Sequence, residues 1–257
     1  MKYLLFSLLA FLAGSLSNFA LSPWDNIFVL LFSFPLLFLI FQNVSGTKKN
    51  KKRILSFIFF GNLFLFGYFL FGLLWISSAF DYREGFAELK FISIIGLPLL
   101  LCLITTPGWI LTALLWGSRP QNCLALSAGI ITGEYLRSFL FTGFPWNLFG
   151  HSIGFNDYSM QIGSIFGFHL SGFFIILFAL SPILFLKRDN ILLGTTFFAI
   201  LPIFMFYGYL RLTSEINFLD KDFLIIQSRI SQDKKLNSNE IINIKIGRHT
   251  SELQSLT

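Results

Sequence analysis

The chain has little charge. Only 12% of its 257 residues are Asp, Glu, Lys or Arg, whereas 54% are hydrophobic. A typical soluble domain has about a quarter charged residues and roughly half apolar ones. The deficit excludes an ordinary water-soluble domain and indicates a protein embedded in a membrane. Phe is abundant, with 35 residues, but its number alone indicates no site.

Cysteine is also scarce, and both of the chain's cysteines, Cys102 and Cys123, lie in apolar stretches. They form no CxxC motif and have no nearby His, so their spacing favours neither a disulfide nor a metal site. We expect both to be packing residues, and we expect no metal and no cofactor. The net charge of +6 does not predict nucleic-acid binding, because the basic residues cluster in short gaps between apolar runs.

Long apolar runs are the main feature of the sequence. About 20 helical residues cross a hydrocarbon core of roughly 30 Å, and the sequence repeatedly offers that length. It predicts a mainly α, polytopic membrane helix bundle of about seven transmembrane helices, near residues 3 to 22, 26 to 43, 54 to 79, 91 to 116, 122 to 138, 158 to 186 and 190 to 210. Pro107 and Pro182 fall inside the fourth and sixth runs, where a proline kinks or ends a helix.

The basic residues fall in alternate gaps between these runs. Loops that stay in the cytoplasm are enriched in Lys and Arg, so we expect a cytoplasmic N-terminus and an extracytoplasmic tail. The residues on the cytoplasmic side are Lys2, Lys48, Lys49, Lys51, Lys52, Arg53, Arg119, Lys187 and Arg188. A cleaved signal peptide is an alternative for the first run, since Lys2 precedes an apolar stretch that has small residues at Ala20 and Ser22.

The composition changes at about residue 211, where Lys, Asp, Glu, Asn, Gln and Ser replace the aromatic residues. This change predicts a transmembrane domain over 1–210 and a water-exposed segment over 211–257. Residues 223–230 predict a strand and residues 238–256 predict a helix. One strand and one helix do not bury a core, so we expect 211–257 to be the beginning of a domain.

Polar groups interrupt the apolar sequence in EYLRSFLFTGFPWNLFG, at 134–150. Glu134 and Arg137 are three residues apart, so on a helix they lie on one face and can pair. Gly143 and Pro145 predict the end of the helix and a turn. Non-helical backbone at membrane depth is buried in protein or lines a cavity. Two structural alternatives stay open, an ion pair anchored at the membrane interface and a belt of interfacial aromatic side chains.

This stretch, together with MQIGSIFGFHLSGFFIILF at 160–178, resembles the signature region of the apolipoprotein N-acyltransferases, which are enzymes of the bacterial inner membrane. FALSPWDN at 19–26 is similar to the family's first outer turn, and GYFLFGLLWISSAF at 67–80 is similar to its third span. LIIQSRISQDKKL at 224–236 resembles the first strand of the family's extracytoplasmic, nitrilase-like domain. The resemblance therefore places the N-terminus in the cytoplasm and the tail in the periplasm.

The resemblance implies a phospholipid-dependent enzyme that N-acylates the lipid-modified N-terminal cysteine of lipoproteins, with phospholipid and apolipoprotein as partners. The family's Glu-Lys-Cys triad has no match in this sequence, so we assign no catalytic residue. We expect the chain to be inactive alone and a separate chain to carry the rest of the nitrilase-like domain. The alternative is a non-enzymatic membrane remnant or lipid-binding module. We assign a lipid-facing, substrate-binding role to Glu134, Arg137, Thr142, Gly143, Phe144, Pro145, Trp146 and Asn147.

Overall fold

The computed structural model describes residues 1–46, 51–82, 87–186 and 190–213, without the side chains of residues 81, 82, 87, 119 and 142. Within these ranges the chain forms α-helices joined by short 3₁₀ segments and contains no β-strand. The helices are α1 (Lys2–Ser17), α2 (Leu30–Val44), α3 (Lys51–Gly72), α4 (Ala87–Leu115), α5 (Arg119–Arg137), α6 (Asp157–Met160), α7 (Gly163–Phe185), α8 (Ile191–Phe198) and α9 (Ile200–Leu212). The 3₁₀ segments are Asn18–Ala20, Ile27–Val29, Leu74–Tyr82, Leu140–Thr142 and Phe149–Phe155.

Six helical stretches in the described part of the chain are long and apolar enough to cross a membrane. This finding confirms the predicted mainly α membrane bundle. The stretches are Lys2–Ala20, Ile27–Val44, Lys51–Gly72, Glu88–Leu115, Gly163–Phe185 and Ile191–Leu212. The fifth of the seven predicted spans corresponds to α5, a helix of 19 residues. It is not among the six because polar side chains such as Gln121, Asn122 and Glu134 lower its apolarity.

α5 nevertheless runs between the same two ends of the bundle as α3. Just before α5 begins, the carbonyl of Trp116 accepts a hydrogen bond from Arg53, in the first turn of α3. Where α5 ends, Arg137 contacts the carbonyl of Asn147, and the Asn147 side chain contacts Gly72, the last residue of α3. The two helices therefore run in the same direction between the same ends of the bundle, and α5 follows the path of the predicted fifth span.

Pro107 and Pro182, which fall inside predicted runs, do not end their helices. α4 continues through Pro107 and α7 continues through Pro182, because neighbouring helices and local adjustments compensate the lost hydrogen bonds within a membrane bundle. The break in α7 occurs instead at Gly167, where φ is 61° and ψ is −177°. The third predicted run also ends as an α-helix at Gly72 rather than at 79, and a 3₁₀ segment follows it.

The helices pack through close backbone contacts. α1 and α3 approach most closely at Gly14 and Gly67. A Cβ atom at Gly14 would lie 1.7 Å from the carbonyl oxygen of Phe64, and one at Gly67 would lie 2.4 Å from that of Phe11. Small residues allow such approach in membranes, where van der Waals packing drives helix association. Of the six spans, α7 has the largest share of buried residues. It packs against α2, α5 and α8.

Most of the predicted extracytoplasmic segment, 211–257, lies outside the described residues. The described part ends at Thr213, directly after α9. The predicted strand at 223–230 and helix at 238–256 also lie outside it.

Candidate functional site

The polar stretch forms a corner after α5, which we call the α5 corner and define as residues 134–149. Three of its residues have a positive φ: Phe141 at 53°, Gly143 at 85° and Asn147 at 52°. Gly adopts this region without steric cost and Asn adopts it more readily than most residues, whereas a bulky residue such as Phe rarely does. Such a backbone persists only where the surrounding structure holds it.

Arg137 holds the backbone of the corner. Its side chain is fully buried at the last residue of α5. Nη1 donates hydrogen bonds to the carbonyl oxygens of Phe144, at 2.7 Å, and of Trp146, and Nη2 donates to that of Asn147 at 2.7 Å. The Phe69 ring of α3 lies 5.1 Å from the guanidinium carbon, in a cation–π arrangement. The rigid fork of donors in the guanidinium suits this task, because it satisfies several carbonyls at fixed angles.

Glu134 connects the corner to the segment that follows it. Its Oε1 accepts a hydrogen bond from the backbone N–H of Phe149 at 2.8 Å and lies 3.8 Å from Nη2 of Arg137. Glu134 is also buried, and its Oε2 has no hydrogen-bond partner within the described ranges. The predicted pairing of Glu134 with Arg137 is therefore present, but both side chains also bind the backbone of the loop.

Asn147 joins the corner to α3. Its carbonyl oxygen accepts from Tyr68 Oη at 3.2 Å as well as from Arg137, and its Nδ2 donates to the Gly72 carbonyl oxygen at 3.2 Å. The Tyr68 ring stacks on Phe149, with 4.5 Å between the ring centroids. The corner is thus fixed at both ends, by α5 on one side and by the last turn of α3 on the other.

The outer face of the corner is aromatic and open. Trp146 is 49% exposed and stacks on Trp75, with ring centroids 5.0 Å apart and an interplanar angle of 22°. Phe144 lies against the same Trp146 ring at 5.6 Å. Pro145 is exposed, and Gly143 is half-buried. The corner therefore presents an apolar surface outward from a polar interior.

Two histidines border the corner. Ser138 Oγ and His169 Nε2 lie 3.0 Å apart, and Nδ1 of His151 accepts from the backbone N–H of Leu148 at 3.3 Å. Burial lowers the pKa of His151 below its ordinary value, and the charges of Arg137 and His169 lower it further. Since a neutral ring is required for Nδ1 to accept, this pKa direction agrees with the hydrogen bond.

The structure brings the predicted site residues together but gives them different surroundings. Glu134 and Arg137 are buried and bind backbone, whereas Pro145 and Trp146 face outward. Gly143, Phe144 and Asn147 are half-buried between these two groups, and Thr142 lies in the turn, its side chain outside the description. The substrate-binding role of all eight stays a prediction.

Sequence reasoning missed the partners that come from α3 and the segment after it. Tyr68, Gly72 and Trp75 contact the corner, yet none of them was assigned to the site. All three lie in GYFLFGLLWISSAF at 67–80, a stretch whose resemblance to the family's third span assigns no site residue. A Tyr and a Gly at the end of an apolar run do not indicate which residues elsewhere in the chain they contact. The sequence therefore does not predict their contacts with the corner.

The sequence of the chain is similar to that of known proteins. The model of the apolipoprotein N-acyltransferase N-terminal domain matches residues 13–181. An apolipoprotein N-acyltransferase of Sinorhizobium fredii is 30% identical over 237 residues, which are 90% of this chain and 45% of that protein. One from Allorhizobium ampelinum is 31% identical over 244 residues, 93% of this chain and 46% of that protein. One from Rhodopseudomonas palustris is 38% identical over 149 residues, 57% of this chain and 27% of that protein.

The family match covers more than half of the chain, including α5 and its corner. This chain spans less than half the length of the relatives that it matches. The chain belongs to the apolipoprotein N-acyltransferase family.

Proposed function

We propose that this chain is the membrane domain of an apolipoprotein N-acyltransferase and that the α5 corner binds the phospholipid that donates the acyl chain. Family membership supports the first part. The observation that carries the second is the set of hydrogen bonds from Arg137 to the carbonyls of Phe144, Trp146 and Asn147. They fix an exposed aromatic loop at one end of a membrane bundle, where a lipid headgroup meets its acyl chains.

In the proposal the predicted residues have two roles. Glu134 and Arg137 act as positioning residues, because their polar atoms contact the loop backbone inside the protein. The residues that contact lipid are those of the loop itself: Thr142, Gly143, Phe144, Pro145, Trp146 and Asn147. Tyr and Trp side chains suit the boundary between hydrocarbon and water, because an apolar ring carries a polar edge.

The names of the relatives support an apolipoprotein as the acceptor. In the proposed reaction the acylated group is the lipid-modified N-terminal cysteine of that apolipoprotein. No residue of this chain is assigned to acyl transfer itself. In the proposal a nitrilase-like domain performs that step with its Glu-Lys-Cys triad, and a separate chain carrying this domain would be the partner of the membrane domain.

The proposed location is the bacterial inner membrane, with the α5 corner on the periplasmic side. Lys51 and Lys52 at the start of α3 are exposed at the opposite end of the bundle, and cytoplasmic loops are enriched in such residues. The N-terminus then lies in the cytoplasm and the chain after α9 lies in the periplasm.

A chimera tests the proposed function. Residues 1–213 of this chain would replace the matching region of the Sinorhizobium fredii relative, in cells depleted of their own acyltransferase. We expect N-acylated lipoprotein by mass spectrometry. A chimera that reaches the membrane in normal amount but leaves lipoprotein unacylated would contradict the proposal. Lipid labelling of the α5 corner in that same chimera would then support the non-enzymatic lipid-binding module instead.

A further inference from the structure

A polar cavity of about 470 Å³ lies at the end of the bundle opposite the α5 corner. It is enclosed by the end of α2, the start of α3 and the connection from α4 to α5, and we call it the basal cavity. The side chains in its walls come from Gln42, Ser45, Arg53, Trp116 and Asn122. None of these five side chains is aliphatic or acidic. Cavities of this size hold small ligands in many proteins.

Arg53 fixes the walls of the basal cavity. Its side chain is buried, and its Nε, Nη2 and Nη1 donate to the carbonyl oxygens of Ser45 at 2.8 Å, Gly46 at 3.1 Å and Trp116 at 3.4 Å. These bonds join the end of α2 and the connection before α5 to the first turn of α3. They also engage three carbonyl oxygens that would repel an anion, and the guanidinium itself carries a positive charge.

Asn122 supplies a hydrogen-bond donor. It is 3% exposed, and its Oδ1 accepts from the backbone N–H of Gly117. This bond fixes the orientation of the amide, because only the oxygen can accept it. The Nδ2 of Asn122 has no hydrogen-bond partner in the part of the chain that the structure describes. Buried polar groups normally have one, so a ligand atom that accepts a hydrogen bond would complete the site.

The other two walls separate the basal cavity from the core and add a second amide. Trp116 is buried, and its ring packs against Phe38 and Phe57, with centroids 5.2 and 5.0 Å away. Gln42 is half-buried at the end of α2, and its side-chain amide makes no hydrogen bond within the described ranges. A side-chain amide can turn its nitrogen towards an acceptor.

Charge is divided between the two ends of the bundle. Lys51 and Lys52 are exposed at the start of α3, beside the basal cavity. The acidic side chains that the structure describes lie towards the other end, in the turn after α1, the first turn of α4, the last turn of α5 and α6: Asp25, Glu88, Glu134 and Asp157. A surface with charge of one sign attracts ions of the other, so the basal cavity favours an anion.

We propose that the basal cavity binds a water-soluble phosphate anion, either inorganic phosphate or the phosphate group of a small monoester. Nδ2 of Asn122 and the Gln42 amide donate hydrogen bonds to the phosphate oxygens, and Arg53 and the two lysines balance its charge. The headgroup of an anionic phospholipid offers the same chemical group, but its acyl chains need an apolar wall, which the five side chains do not provide. The site does not depend on the proposed function, because the α5 corner lies at the other end of the bundle.

Equilibrium dialysis tests the anion. The full chain would be reconstituted in phosphatidylcholine nanodiscs and dialysed against radiolabelled inorganic phosphate. We expect saturable binding of the label. Unlabelled phosphate and glycerol 3-phosphate should displace it, and chloride at equal ionic strength should not.

Three variants locate the bound phosphate. Asn122→Asp keeps the oxygen that accepts from Gly117 but replaces the donor with a negative oxygen, so the affinity for phosphate should fall several-fold. Gln42→Glu adds the same charge to the wall from a half-buried position and should also lower the affinity several-fold. Asn43→Asp makes the matched change at an exposed residue of α2 outside the cavity walls and should leave the affinity unchanged. Thermal unfolding checks that each variant is folded, and Gln42→Glu decides if Asn122→Asp is not.

Three outcomes would overturn the phosphate site. One is a wild-type chain that binds neither inorganic phosphate nor glycerol 3-phosphate. Another is equal affinity in the folded cavity variants and in Asn43→Asp, which would place the phosphate elsewhere on the basic surface. The third is a diazirine-bearing phosphatidylglycerol that labels the walls of the basal cavity while free phosphate does not bind, which would identify a lipid headgroup as the ligand. The chimera that tests the proposed function is independent of all three.

Discussion

Nη2 of Arg137 donates a hydrogen bond to the carbonyl oxygen of Asn147 at 2.7 Å, so a cation at the end of α5 fixes the backbone of the loop that follows. The Asn147 side chain in turn donates to the Gly72 carbonyl at 3.2 Å. The end of α5, the loop and the end of α3 are therefore one hydrogen-bonded unit. A substitution at Arg137 therefore alters the exposed loop through these hydrogen bonds, without any direct contact between the substituted side chain and a ligand.

Arg137→Lys should destabilise the protein although it preserves the charge. Lysine lacks the planar fork that binds three carbonyls, and hydrogen bonds to charged groups contribute about 1.5 to 3 kcal/mol each. We expect a loss of about 2 kcal/mol, measured as a lower midpoint of thermal unfolding in detergent. Arg211→Lys is the matched control, because its contact with Gln161 lies on the exposed surface. Equal midpoints for Arg137→Lys and the control would contradict the role of the fork.

Glu134→Gln should be milder than Glu134→Ala. A Gln side chain keeps an oxygen that accepts from the Phe149 N–H, whereas Ala leaves that buried donor unpaired at a cost of about 1 to 3 kcal/mol. The same unfolding assay measures the difference between the two variants. If they unfold together, the charge of Glu134 rather than its hydrogen bond to Phe149 determines its contribution.

The sequence predicts the bundle well because apolar run length is a local property. Apolar run length alone predicts that the third, fourth and sixth runs are membrane helices. Gly143, Pro145 and the charged pair Glu134 and Arg137 predict the α5 corner. The sequence does not predict the contacts of Tyr68 and Trp75 with the corner, since they depend on how the end of α3 and the segment after it lie against the loop that follows α5. The break at Gly167 was assigned instead to Pro182, because a proline's effect on a helix depends on its neighbours.

Trp146→Ala should lower lipid labelling of the α5 corner several-fold with little change in stability. Trp146 is about half exposed and its stack on Trp75 contributes about 0.5 to 1.5 kcal/mol. Photolabelling with a diazirine phospholipid measures the first effect and thermal unfolding the second. Phe59→Ala, at an exposed aromatic in the first half of α3, is the control. Equal labelling of the two variants would remove the α5 corner as a lipid site.

Gly14→Ala should separate α1 from α3. The added Cβ would lie 1.7 Å from the carbonyl oxygen of Phe64, and a backbone atom cannot move away as a flexible side chain does. Overpacking of this kind costs about 1 to 3 kcal/mol, so the unfolding midpoint should fall. At Gly154 the same substitution meets nothing within 4 Å, and Gly154→Ala should leave the midpoint unchanged or raise it. A stable Gly14→Ala variant would mean that α1 and α3 can move apart freely.

The proposed orientation predicts which side of the membrane a new cysteine reaches. The native Cys102 and Cys123 are buried, so they should react little with a membrane-impermeant maleimide. Ser22 is exposed in the turn after α1, and Lys52 is exposed at the start of α3, at the other end of the bundle. We expect Ser22→Cys to be labelled in intact spheroplasts and Lys52→Cys only after the membrane is opened. The reverse pattern would invert the bundle and place the α5 corner in the cytoplasm, where a periplasmic acyl transfer could not reach it.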